Sequence, residues 1–141
     1  MKNVTRILAL TLMMMPLVAV AQLQQGQKLV SDVPFEFVVG NKIVPAGNWV
    51  IQKMYSGSNF FYLNDQAGKV GLISNASVDE TKTPATNCAL VFHVYKGRHF
   101  LAGMKLEGSK ITYRVPVSKA EAELRAQNAV AQDEVLLAQL R

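Results

Sequence analysis

The sequence predicts a mainly β protein: a single antiparallel β-sandwich or small barrel, followed by one long C-terminal α-helix. Three observations carry this expectation. Short apolar segments with a period of two recur between residues 29 and 116. Turn residues separate them at short spacing. The pattern then changes at Ser118, where "SKAE" reads as a capping box ahead of a stretch rich in Ala, Leu, Glu, Gln and Arg.

Residues 1–21 have the layout of a secretory signal peptide. Lys2 and Arg6 supply a basic start, Ile7 to Val20 an apolar run, and Ala19-Val20-Ala21 a small-x-small cleavage site. The apolar run is shorter than the roughly 20 residues that span a bilayer. No other segment could span one, so no transmembrane segment is expected after cleavage. The expected location is secreted or periplasmic. Cleavage removes two of the charges behind the net +5. The mildly basic remainder does not argue for a nucleic-acid partner. Cys88 is the only cysteine, so the domain enters an oxidising space without an internal disulfide.

Residues 22–28, "QLQQGQK", are polar and aperiodic and read as a flexible tail. In the β domain, residues 29–116, Val33, Phe35, Phe37 and Val39 alternate with Pro34, Glu36 and Val38, as in a strand with one buried face. Pro34 lacks an N–H and belongs at an edge or bulge. Gly40-Asn41-Lys42 and "VPAG", 44–47, are turns, and Trp49 to Tyr55 is a strand. "FFYLN" and "KVGLIS" flank "DQAG" as a hairpin. Residues 75–87 form the longest expected loop. Strands follow over Cys88 to Tyr95, His99 to Leu106 and Lys110 to Val115.

Residues 117–141 read as the long helix. Ser118 Oγ is placed to accept the Glu121 N–H, and the Glu121 carboxylate to reach back to the Ser118 N–H. Ala120, Leu124, Ala131, Val135 and Ala138 form one stripe; Val130, Leu136, Leu137 and Leu140 lie on the other side. The strand from Cys88 to Tyr95 is apolar on both faces, so its second face needs a cover. The first half of the helix, around Leu124, is the expected cover. The second half is then left for a partner or a second copy of the chain.

The most chemically suggestive stretch is "LVFHVYKGRHFLAG", residues 90–103. With a three-residue loop, His93 and His99 share a face within reach of one metal ion; with a two-residue loop they lie on opposite faces. Zinc takes three or four protein ligands. A third would come from Glu36, Asp65, Asp79, Glu80 or Glu107, and no spacing selects one. The plainer reading makes His93 a half-buried strand residue beside Tyr95 and His99 a turn-flanking polar residue. Cys88 shares a face with Leu90, Phe92 and Val94, as a buried small hydrophobe does. Asp79-Glu80 and Asp133-Glu134 are adjacent and point apart. Asn75-Ala76-Ser77 matches a glycosylation acceptor. Lys96, Arg98, Lys105, Lys110 and Arg114 form a basic region, read as a solvated sheet face or a site for an anionic surface.

No nucleophile elbow, zinc-protease helix, phosphate loop or dinucleotide fingerprint is present. No catalytic, cofactor-binding or metal-ligand residue is therefore assigned. The preferred expectation is a non-catalytic secreted or envelope domain that binds a partner protein or surface through the C-terminal helix. The alternatives are a metal-dependent hydrolase using His93 and His99, and a carrier of a small apolar ligand.

"VPFEFVVGNKIVPAGNW", "LVFHVYKGRHFL" and "PVSKAEAEL" together resemble a group of small, uncharacterised secreted proteins of acidobacteria. The resemblance spans most of the mature chain in this order. Trp49 stands where tyrosine is usual and Val117 where lysine is common. It implies a signal peptide, a β-rich domain and a C-terminal helix, with no activity and no catalytic residue.

Overall fold

The computed structural model describes residues 27–55, 57–65, 67 and 72–141. Residues 1–21, read as a signal peptide, and most of the expected tail, residues 22–28, lie outside them. The described chain forms two β-sheets around one shared core, with a single short helix on the outer face of the second sheet. It is not a closed barrel.

The first sheet contains β1 (Lys28–Val33), β4 (Gly47–Lys53), β5 (Phe60–Asp65), β6 (Leu72–Asn75) and β12 (Gln139–Leu140), in the order β12-β1-β4-β5-β6. The second contains β7 (Ser77–Glu80), β8 (Ala89–Tyr95), β9 (Arg98–Lys105), β10 (Ile111–Arg114) and β11 (Gln132–Leu137), in the order β11-β8-β9-β10-β7. A small hairpin of β2 (Phe37–Val39) and β3 (Lys42–Val44) joins the second sheet, with β2 parallel to β9. All other pairs are antiparallel.

Leu29, Ile51, Phe61 and Leu63 from the first sheet meet Leu90, Phe92, Leu101, Met104 and Tyr113 from the second. Period-two alternation turns most of these residues inward, and a bulge in β9 between Leu101 and Gly103 brings both Leu101 and Met104 to the core. Near Trp49 the core is aromatic: Phe37 lies edge-on to Trp49 and Phe92, and Phe35 edge-on to Phe92. Trp49 Nε1 donates to the Pro45 carbonyl, which ties the "VPAG" turn to β4. Gly103 is a packing requirement. A Cβ there would lie 2.8 Å from the Tyr113 carbonyl oxygen, so only glycine lets β9 and β10 approach this closely.

Pro34 breaks the alternation expected to run unbroken from Val33 to Val39. Val33 ends β1 in one sheet, and Phe37 and Val39 belong to β2 in the other. All three still face the shared core, so the burial pattern holds while the strand does not. The expected loop at 75–87 is partly a strand. Asn75 ends β6, buried Ala76 turns the corner between sheets, and β7 pairs with β10. Arg114 forms an ion pair with Asp79 across that pair.

The long C-terminal helix is absent. One helix, α1 (Lys119–Ala126), forms, and Asn128 follows it at φ 57, the left-handed conformation that ends helices. The chain then runs as β11, pairing six residues with β8, crosses at Ala138, and ends as β12 against β1. The Ala138 N–H donates to the Cys88 carbonyl, and Lys28 and Arg141 exchange two backbone hydrogen bonds. Helix propensity favours this segment by only tenths of a kcal/mol per residue. Pairing two open sheet edges outweighs it. The partner surface expected on a helix tail is therefore corrected: Val135 and Leu137 sit exposed on the outer face of an edge strand.

Candidate functional site

The hairpin that carries both histidines turns on two residues. Tyr95 pairs with Arg98, leaving Lys96 (φ 50) and Gly97 (φ 80) as the loop. Positive φ at both central positions is the tight turn that suits a twisted hairpin. His93 then opposes Phe100, and His99 opposes Val94. The histidines face opposite sides of the sheet and do not converge on one ion. No group of three His, Cys, Asp or Glu side chains suited to a metal occurs among the described residues.

Each histidine instead meets a carboxylate. On the outer face, His93 Nδ1 lies 2.7 Å from Glu121 Oε1, and its Nε2 lies 3.8 Å from Asp133. On the inner face, His99 Nε2 lies 3.1 Å from Glu134 Oε2, and its ring stacks on Phe35 at 3.6 Å. Asp133 and Glu134 point apart, as adjacent strand residues must, and so brace β11 to the hairpin from both sides.

Glu121 is the centre of the outer cluster. The short helix buries it: it is 2% exposed. Its Oε1 accepts from His93 Nδ1, from the Tyr95 hydroxyl at 3.1 Å and from Arg125 Nη2 at 2.9 Å. A carboxylate only accepts, so the 2.7 Å contact puts a proton on His93 Nδ1. Arg125 Nε also donates to the Tyr95 oxygen at 2.8 Å. That bond raises the Arg125 guanidinium above its ordinary value; burial opposes the rise and the Glu121 charge adds to it. Ser118 Oγ accepts from the Glu121 N–H as expected, at 3.1 Å. The reciprocal half of the capping box is replaced, because His93 and Tyr95 on the sheet and Arg125 on the helix hold the Glu121 carboxylate. Around this cluster Val38, Tyr95 and Phe100 pack against Ala120, Leu124, Ala129 and Ala131. The helix thus covers the second apolar face of β8, around Leu124. With three donors on one oxygen, Glu121 is a fastening rather than a base open to a substrate.

Cys88 is buried and free, with its sulfur accepting from the Glu107 N–H at 3.3 Å. Three of the five basic residues have different surroundings. Arg114 is ion-paired to Asp79, Arg98 lies over the Phe100 ring at 5.4 Å, and Lys96 is in the turn. Asn75 and Ser77 of the glycosylation match are exposed on either side of buried Ala76.

The opposite end of the sandwich holds a different feature. Beyond Leu29, Ile51, Phe61, Met104, Leu106 and Tyr113, the two sheets part around a cleft of about 830 Å³. Its size lies within the roughly 300–1,000 Å³ of small-molecule sites, and its lining mixes these apolar side chains with polar ones. Lys53 lines it from the first sheet, and Glu107 and Ser109 from the turn that follows β9. Trp49, Ile51 and Lys53 alternate along β4, so Lys53 holds the inward-facing position at the strand's end. Its ammonium lies 4.6 Å from the Tyr113 ring centroid and 6.0 Å from that of Phe61. It makes no ion pair among the described residues. No motif in the sequence marks Lys53. The available signal was a lysine in phase with Trp49 and Ile51.

No family model, curated protein or solved structure matches the chain.

Proposed function

We propose that this chain is a non-catalytic binding domain of the secreted or periplasmic space, and that it carries a small, largely apolar molecule between its two sheets. The observation behind this reading is the cleft of about 830 Å³ at one end of the sandwich. Burying apolar surface contributes about 25 cal/mol per Å² removed from water, so an apolar guest gains affinity without any specific polar contact. The histidines and the helix sit at the other end and across the sheet, where they hold the scaffold that keeps the cleft open.

The test is binding of the uncharged fluorescent probe phenylnaphthylamine. Its emission should rise and saturate on addition of the purified protein. Leu106→Trp, which places an indole in the cleft, should abolish that rise while leaving the far-ultraviolet circular dichroism unchanged. Equal binding by the wild type and this variant, with the fold intact, would remove the cleft as the binding site.

A further inference from the structure

The geometry points to a ligand with an anionic head: an amphiphile whose apolar chain lies in the cleft and whose carboxylate meets Lys53. This rests on the reading of the cleft as a carrier site. Lys53 is half-buried in the inward-facing phase of β4, where its ammonium is only partly hydrated and a counter-charge is favourable. Here the aliphatic stem follows the Trp49–Ile51 face of β4, and the ammonium is turned to the rings of Tyr113 and Phe61. Ring faces satisfy a cation in part. They do not neutralise it, and no carboxylate among the described residues lies within ion-pairing distance.

The facing turn adds a donor. Ser109 Oγ accepts the Ile111 N–H at 3.0 Å, which leaves its own hydrogen available to a guest. Glu107 also lines the cleft, but it is exposed, so water screens its carboxylate, and it lies beyond ion-pairing distance of Lys53. A cation beside the apolar side chains of Ile51, Phe61 and Met104, with a hydroxyl on the facing turn, matches a fatty carboxylate. It does not favour a neutral alcohol of the same length, which gains only the apolar part of the site. A cationic head would meet Lys53 with like charge.

Calorimetric titration of the full chain with decanoate and with decanol separates the two contributions. Decanoate should bind about tenfold more tightly than decanol, as a hydrogen bond to a charged group implies. The preference should shrink as salt is raised. Lys53→Met should equalise the two ligands while leaving decanol affinity unchanged, which also shows that the variant is folded. Lys53→Arg should keep the preference. Equal binding of both ligands by the wild type would overturn the anionic-head inference and leave the apolar cleft standing. A preference that survives Lys53→Met would overturn the role of Lys53. Binding of neither ligand would overturn the carrier reading itself.

Discussion

Glu121→Ala removes the acceptor for three donors at once. His93, Tyr95 and Arg125 would be left facing a small void beneath α1, and Arg125 would keep its charge beside it. Breaking a buried charged cluster from one side costs about 3–5 kcal/mol, because the partners stay desolvated. Arg125 is partly exposed and can turn to water, so a loss near 3 kcal/mol is expected. Urea denaturation of Glu121→Ala and Glu121→Gln measures it. The glutamine, which still accepts through its amide oxygen, should lose less than the alanine, and a ranking the other way would mean that the cluster does not hold the helix. This residue was half legible in the sequence. The capping spacing placed Glu121 in the first helical turn correctly. It did not reveal that its carboxylate turns to the sheet, because that depends on His93 and Tyr95, 28 and 26 residues earlier in the chain.

At the scale of elements, the C-terminal segment shows where local pattern stops deciding. Residues 119–126 are a helix with the expected Ser118 cap, and Leu124 covers β8 as its two apolar faces required. Beyond Asn128 the same composition becomes β11 and β12. Asn128 was a readable stop, since asparagine tolerates the left-handed conformation that it adopts here. "QDEVLL" also alternates: Glu134 and Leu136 turn inward, and Asp133, Val135 and Leu137 turn outward. Composition hid this, because Ala, Leu, Glu and Gln are helix formers wherever they stand. The consequence is a reversed expectation for truncation. A long helix with a free second half would survive removal of residues 128–141. Instead, the cut would strip β11 from β8 and β12 from β1, and take Leu136 and Ala138 out of the core. The truncated chain should lose cooperative thermal unfolding and aggregate through its two bared edges. Leu136→Ala in the full chain should cost only about 2 kcal/mol, the low end for a partly buried leucine. A cooperative melt for the truncated chain within a few degrees of the wild type would show that β11 and β12 are dispensable.

Across the whole molecule the sandwich is uneven along its strands. At the Trp49 end, Phe35, Phe37 and Phe92 interlock, His99 stacks beneath Phe35, and Glu134 ties the hairpin to β11. At the Lys53 end the sheets part, and the turns around Met54 to Asn59 and Glu107 to Ser109 border the cleft. Stability follows packing, so local opening concentrates where buried apolar contacts are fewest. Backbone amides of Met54, Ser58, Gly108 and Ser109 should exchange with deuterium much faster than those of Leu90 to Val94 and His99 to Leu101. A bound apolar guest supplies the missing contacts at one end only. It should therefore slow the first set by closing local openings at the cleft, while the second set slows only as far as overall stability rises, by about 2.7 kcal/mol at a hundredfold excess over the dissociation constant. Slowing confined to the histidine end would relocate the binding site to the hairpin turn, where His99 and Phe35 border a smaller groove of about 210 Å³. The contrast between the two ends, rather than the size of either effect, makes the measurement diagnostic, because a general rise in stability slows both.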